Sequence, residues 1–156
     1  MSIASRLKWY LDSHGISYEC VHHARTATSL ASAREANVPA DDLAKCVLLE
    51  DERGYLMAIV PASCRVDLEE IGRQLGRQLT LATEAELGEI FDGCEMGAVP
   101  PIGDAYNIPT AIDDALLRLP DVYFEAGDHE ELVHVSREAF ADLLPHTLHG
   151  RYSRPN

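Results

Sequence analysis

Two predicted hairpins constrain the fold of this chain more than any other sequence feature. The runs LAKCVLLED (43–51) and GYLMAIVP (54–61) flank the polar turn DERG, and DVYFEAG (121–127) and ELVHVS (131–136) flank GDHE. Apolar runs joined by such short turns predict antiparallel strands. Because helical patterns are interleaved irregularly with the hairpins, we predict an α/β or α+β domain, with a mixed β-sheet or partial barrel surrounded by helices. A doubly wound parallel sheet is disfavoured.

The longer helical patterns carry start and stop signals. Gly15 and Gly76 are predicted to end the first and third helices. ISYECVHH (16–23) and LTLA (79–82) are predicted as short strands, and the polar stretch 145–156 is expected to fray. The predicted N-caps are Ser2, Thr28 or Ser29, Asp67, Thr83 in a capping box with Glu86, and Ser136.

Size and charge limit the classes of function. At 156 residues the chain is most economically one domain, and its net charge is −13, from 13 Lys and Arg against 26 Asp and Glu. A protein that grips DNA or duplex RNA tightly by its backbone normally carries a basic face, so we expect any nucleic-acid contact to be small and local. No apolar run is long enough for a membrane span, and the N-terminus lacks the apolar region of a secretory signal. We expect a cytoplasmic protein.

Neither the cysteines nor the histidines form a recognisable metal or redox motif, and no cofactor is expected. Cys20, Cys46, Cys64 and Cys94 are widely spaced without a C-x-x-C pair, so buried reduced thiols are the simplest interpretation. The adjacent histidines at 22 and 23 would point to opposite faces of a strand. A thiol-dependent hydrolase using Cys46 or Cys94 stays open as an alternative, although no local nucleophile signature is present.

Lys45 is unusual because apolar residues follow it in a predicted buried strand. A lysine in such a strand must keep its ammonium in water, in a salt bridge or in a functional pocket. The structural interpretation is a snorkelling or ion-paired lysine. The functional one is a cation at the mouth of a cleft, available to a phosphate or a carbonyl group.

The stretch CEMGAVPPIGDAY (94–106) matches neither a helix nor a strand. Gly97 and Gly103 permit close approach to the backbone, whereas Pro100 and Pro101 stiffen the loop and lack an N–H. A stiff loop with free amides on small residues can bind an anion or an oxyanion, although an ordinary turn has the same composition. The remaining candidate donors are the amides of Gly97, Ala98, Val99, Ile102 and Gly103.

Taken together and in order, these segments resemble the YbaK family, which is related to the editing insertion of bacterial prolyl-tRNA synthetase. The resemblance spans about residues 26–144, from TSLASAREANV through LAKCVLLED, GYLMAIVPASCRVDLEEI, GAVPPIG and AIDDALL to VYFEAGDHEELVHVS. The single lysine in its strand and the G-x-x-x-P loop are its most specific marks. The resemblance implies a trans-editing deacylase that hydrolyses the ester between a wrong amino acid and the 3′ end of a tRNA, with a synthetase as a further partner.

The resemblance also implies roles for individual residues. Lys45 corresponds to the family lysine that is expected to bind the terminal phosphate or ribose, and the loop of Gly97, Ala98 and Pro101 would hold the aminoacyl ester by its backbone. With these as the catalytic set, the implied substrate-binding residues are Val99, Gly103, Asp113, which begins a short helix, Gly127, and His129, where some members carry a pocket histidine.

The chain departs from the family pattern in ways that bear on substrate range. Many members have threonine at Cys46, a second glycine at Ala98 and serine at Pro100. Small loop side chains would prefer small amino acids such as alanine, cysteine or serine, and the absence of a strong side-chain base points to the free ribose hydroxyl as the group that activates water. The alternative from another class is a non-catalytic module that binds tRNA, a synthetase or a small molecule.

Overall fold

The computed structural model describes residues 4–156, which contain a mixed β-sheet with helices packed on it. The helices are Ser5–Ser13 (α1), Ser29–Glu35 (α2), Leu68–Leu75 (α3), Glu84–Ile90 (α4), Asp114–Leu117 (α5) and Arg137–Leu143 (α6). The strands are Glu19–His22 (β1), Leu43–Asp51 (β2), Gly54–Pro61 (β3), Cys64–Val66 (β4), Thr80–Leu81 (β5), Thr110–Asp113 (β6), Asp121–Glu125 (β7), Glu131–Ser136 (β8), Leu148–Gly150 (β9) and Ser153–Pro155 (β10). Within residues 4–156, none of the helices is long and apolar enough to span a bilayer.

The sheet runs in the order β1-β8-β7-β2-β3-β6-β9, and β5 also pairs with β2. The predicted hairpins β2–β3 and β7–β8 are antiparallel, whereas β2–β7, β3–β6 and β6–β9 are parallel. This topology confirms the predicted mixed sheet.

One edge of β2 is only partly covered, and this gap positions the candidate site. Strand β3 occupies one edge of β2 along its length, so β7 and β5 share the other edge. The β7 pairing ends at Ala44, and the β5 pairing begins at Leu49. Residues 45–48 therefore have no strand beside them on this edge, although the carbonyl of Leu48 accepts from the amide of Ala82 at 3.0 Å.

Except at α1, the predicted caps match the structure. Thr28, Asp67, Thr83 and Ser136 each accept a backbone N–H in the first turn of the following helix, and Thr83 forms the capping box with Glu86. Such caps satisfy amides that the helix leaves unpaired. Ser2 lies outside the described residues, but the N-cap of α1 is Ala4, which forms no side-chain cap, so the prediction of Ser2 as this cap is wrong.

The prediction that residues 145–156 fray is wrong. Strand β9 adds to the sheet beside β6, and β10 pairs with β4. Tyr152, with 2% of its surface exposed, packs into a cluster with Ile71 and Ala111. Because the stretch is mostly polar, its composition did not indicate that Tyr152 is buried. Its strands were missed because their partners are distant in sequence. The loop 94–106 also contains a short 3-10 turn, Gly103–Tyr106, which was not predicted.

Tyr152→Ala is expected to lower the free energy of unfolding by about 3 kcal/mol, as truncation of a buried aromatic side chain usually does. Urea denaturation followed by circular dichroism measures the change. His146→Ala, which alters an exposed residue of the same stretch, is the matched control. Equal stability of the two variants would contradict the role of Tyr152 as an anchor.

Candidate active site

Lys45 lies where β2 loses its neighbour β7. The pairing of these strands ends at Ala44 and Phe124, so Lys45 and Glu125 are the next residues on each strand. The Lys45 side chain is half-buried, and no carboxylate within residues 4–156 lies within 4.0 Å of its ammonium. Burial lowers the pKa of this ammonium. The ion-paired interpretation of Lys45 is thus not found in the described part of the chain.

The loop before Pro100 is fixed at both ends of a tight turn. The amide of Glu95 donates to the carbonyl of Gly127 at 2.8 Å, and the amide of Ala98 donates back to the carbonyl of Glu95 at 3.0 Å. The expectation that Ala98 offers a free donor is therefore wrong, because its N–H closes this turn. The amides of Gly97 and Val99 have no protein acceptor among the described residues.

Gly97 occupies a position that a side chain would disturb. Its φ of +81° lies in the left-handed region, and a Cβ added there would lie 3.3 Å from Cε1 and Nε2 of His129. Ser29, at the start of α2, donates from Oγ to the Gly97 carbonyl at 3.4 Å. The loop thus reaches across the open edge of β2 toward α2.

An exposed ion-pair cluster ties this loop to the β7–β8 turn. Arg25 contacts the carboxylates of Glu95 on the loop and Glu130 on the turn, and it donates to the carbonyl of Asp128 at 3.4 Å. Because the contacts are exposed, each contributes little by itself. Together, these contacts attach the loop and the turn to the same side chain, that of Arg25.

His129 is held against the loop by a strained turn. Its φ is +59°, and Nε2 hydrogen-bonds the carbonyl of Met96. Nδ1 lies 2.9 Å from Oε2 of Glu125 at the end of β7. Both side chains are buried, and burial raises the pKa of Glu125 to about 7.

Glu125 was missed by the sequence analysis, because a glutamate at the end of a predicted strand normally faces solvent. The turn residues Gly127 and Asp128 are the signal that could have revealed it, since a tight turn folds residue 129 back over the strand end. Ser32 on α2 was also missed, because a polar residue in a predicted helix normally faces solvent. Its Oγ donates to Oε2 of Glu125 at 3.2 Å.

A cavity of about 310 Å³ opens beside the uncovered edge of β2. Its lining includes Cys46 of β2 but not Lys45, the residue before it, and it also includes Met96, Gly97 and Val99 of the loop. The lining is mostly apolar, with Glu84 as the acidic member. Side chains and backbone of Leu48, Leu81, Leu87, Met96, Gly97 and Val99 form most of the wall.

Several predicted site residues have structural contacts instead. A Cβ on Gly103 would lie 1.9 Å from Oγ1 of Thr110, and one on Gly127 would lie 3.0 Å from the Cβ of Ala4, so both glycines permit close packing. Pro101, within the loop, is buried. Asp113, a predicted substrate-binding residue, is the N-cap of α5, and its second oxygen accepts from the backbone N–H of Tyr152 at 2.9 Å.

The thiols are poorly suited to nucleophilic chemistry. Burial raises the pKa of the Cys46 thiol to about 12 and also raises the pKa of Cys94. All four cysteines are free, as predicted, but Cys20 is exposed and none is fully buried.

Cys46→Ser is expected to leave any hydrolytic activity of the cavity within about threefold of wild type, because a thiol with so high a pKa is not the nucleophile. The same assay on Cys20→Ser controls for general effects of thiol removal. A complete loss in Cys46→Ser alone, with the protein folded, would restore the thiol mechanism.

Comparison with known proteins bears on this site. A model of the aminoacyl-tRNA editing domain family matches residues 23–143. This range includes the β2 edge, the 94–106 loop and the β7–β8 turn. No curated protein matches the sequence significantly.

Solved structures share the fold at low sequence identity. A candidate trans-editing enzyme for prolyl-tRNA synthetase is 24% identical with a TM-score of 0.83, and the match covers 96% of this chain and 95% of that one. A hypothetical protein is 21% identical with a TM-score of 0.83, covering 96% and 100%. A candidate signal transduction protein from Marinobacter aquaeolei is 19% identical with a TM-score of 0.81, covering 97% of this chain but 31% of the other.

Proposed function

This chain belongs to the aminoacyl-tRNA editing domain family, and we propose that it is a trans-acting deacylase that hydrolyses the ester of a mischarged tRNA. One observation carries the proposal. The amides of Gly97 and Val99, which have no acceptor in the described chain, belong to the lining of an apolar cavity whose β2 residues begin at Cys46, one position after Lys45.

Ester hydrolysis needs a placed water and stabilisation of the oxyanion that forms at the carbonyl carbon. The amides of Gly97 and Val99 are the donors that we assign to the ester carbonyl, and one well-aimed donor contributes about 3 kcal/mol in such sites. Water adds to the carbonyl carbon, the bond to the ribose oxygen breaks, and that oxygen takes up a proton. We assign the activation of water to the neighbouring ribose hydroxyl, since the described lining contains no histidine or lysine and the carboxylate of Glu84 is only a weak base.

Lys45 has the role of anchoring the terminal phosphate or ribose of the tRNA. Its ammonium is half-buried and lacks a carboxylate partner among the described residues, so it is available to an anion. A charge-assisted hydrogen bond to phosphate would compensate the desolvation that lowers its pKa. Because the contact is confined to the 3′ end, the chain can act on tRNA in the cytoplasm despite its net charge of −13.

The cavity favours a small amino acid without a polar side-chain group. Most of its lining, including Leu48, Leu87 and Val99, offers no hydrogen bond to a serine hydroxyl, and Glu84, exposed at the start of α4, is the acidic exception. Burying an unpaired hydroxyl costs free energy, so alanine and cysteine are better substrates than serine in this proposal. Discrimination against still smaller side chains is weak in an apolar pocket.

A non-catalytic binding module is the alternative, and the stability of the ester separates the two. The test compares a tRNA end carrying ester-linked alanine with the same end carrying amide-linked alanine. The deacylase is expected to bind both and to release alanine only from the ester, with many turnovers per protein. Binding of both without release of alanine would favour the module.

A further inference from the structure

The protons of the Glu125–His129 pair can be counted from its geometry. Nε2 of His129 contacts the carbonyl oxygen of Met96, which can only accept, so Nε2 carries a proton. Nδ1 lies 2.9 Å from Oε2 of Glu125. Nδ1 has no well-aligned hydrogen-bond partner among the described residues, and two bare acceptors repel at this distance, so the contact requires one further proton between them, on the imidazole or on the carboxyl group.

The carboxyl group is also held from the side of α2. Ser32 donates from Oγ to Oε2 of Glu125 at 3.2 Å, and Oγ1 of Thr26 lies 2.6 Å from the same hydroxyl. Glu125 has 1% of its surface exposed, and its other oxygen, Oε1, has no hydrogen-bond partner among the described residues. Burying a carboxyl group this deeply costs free energy unless the surrounding groups form hydrogen bonds with it.

We propose that Glu125 is a positioning residue of the deacylation site, an inference that rests on the proposed function. Through the shared proton, Glu125 orients His129 so that Nε2 holds the Met96 carbonyl. That carbonyl and the N–H of Gly97 belong to one planar peptide and point in opposite directions. A hydrogen bond that fixes the carbonyl toward His129 therefore fixes the Gly97 N–H away from it, in the direction needed to meet an ester in the cavity.

The surroundings of Glu125 set the pH at which this orientation is lost. Asp128 and His129 face it from the turn, Ser32 faces it from α2, and Lys45 is its neighbour on β2. Burial raises the pKa of Glu125 to about 7, against the lowering effect of His129 and Ser32. Because this pKa lies above the usual 4.5, the contribution of Glu125 to the stability of the folded state is greatest at acid pH. That contribution is lost as the pH rises through about 7.

Two substitutions of Glu125 test whether the loop is supported by the shared proton or only by the presence of a side chain. In Glu125→Gln the amide donates to Nδ1 at every pH, so activity is expected to persist above pH 7, where wild-type activity falls. In Glu125→Ala the loop loses its support, and kcat is expected to fall by up to about 10²-fold, as misplacement of a reacting group does. Deacylation is measured below and above pH 7 with the uncatalysed rate subtracted, and Glu138→Gln on α6 is the control.

A spectroscopic measurement tests the pair without relying on activity. Long-range ¹⁵N–¹H correlation of the His129 ring is expected to show a proton on Nε2 in both wild type and Glu125→Gln. A bare Nε2, or an active wild type whose rate and pH profile are unchanged in Glu125→Ala, would overturn the inference and leave the deacylase in place. An inactive wild type would overturn the proposed function, and the ring spectrum would then still decide whether the pair exists as described.

Discussion

Gly97→Ala is expected to reduce kcat/KM for deacylation by about 10²- to 10³-fold, the loss that follows removal of one oxyanion donor. The residue has φ of +81°, and a Cβ would meet the His129 ring at 3.3 Å. Relief of either strain rotates the peptide whose N–H we assign to the ester carbonyl. Single-turnover release of labelled amino acid from a mischarged tRNA measures the effect.

Gly93→Ala is the matched control for this substitution. Gly93 also has a positive φ, of +90°, but a Cβ there would have nothing within 4 Å. Both variants carry a backbone penalty of about 1 kcal/mol or more, so both lose some stability. Only Gly97→Ala is expected to lose activity. Equal activities in the two folded variants would remove the loop backbone from the mechanism.

Lys45→Ala is expected to reduce kcat/KM by about 10- to 100-fold, corresponding to the 1.5–3 kcal/mol of a hydrogen bond to a charged group. The loss arises because the terminal phosphate or ribose no longer has its cation. Stability is expected to be unchanged or higher, since the variant removes a half-buried ammonium whose pKa is lowered by burial. Deacylation kinetics and thermal unfolding are measured on the same samples.

The chain offers a natural control for the lysine. Its lysines are Lys8 and Lys45, and Lys8 forms an exposed pair with Asp12 at 2.9 Å. Lys8→Ala removes the same charge from α1, which contributes no residue to the cavity lining, and is expected to retain wild-type activity. A similar loss of kcat/KM in both variants would indicate that Lys45 acts only through the net charge of the protein. Full activity of Lys45→Ala would exclude Lys45 as the anchor of the tRNA end.

Local signals made much of the fold predictable. The caps at Asp67 and Ser136 and the hairpin turns depend on neighbours within a few residues, so the sequence alone contains the information. Strand β9 is the contrasting case, because three residues leave little pattern and its partner β6 lies more than thirty residues away. Tyr152 anchors that segment through contacts that no local pattern reports.

The candidate site was predictable in its loop but not in its support. Gly97 could be identified as a candidate site residue because a glycine in a proline-stiffened loop permits close approach to the backbone. The free donors could not be counted correctly, because the amide of Ala98 is paired only once the chain turns back to Glu95. The Glu125–His129 contact was hidden for the same kind of reason, since it depends on a left-handed residue at the hairpin turn.

Deacylation of a panel of labelled aminoacyl-tRNAs shows in one assay whether this protein hydrolyses a mischarged tRNA. Alanyl-, cysteinyl-, seryl- and prolyl-tRNAs, each charged correctly and mischarged, are incubated with catalytic amounts of the wild-type protein. Rapid release of alanine or cysteine from a mischarged tRNA, with slower release of serine and none of proline, is the predicted result. Absence of release from every tRNA, by protein shown to be folded, would contradict the proposed deacylase.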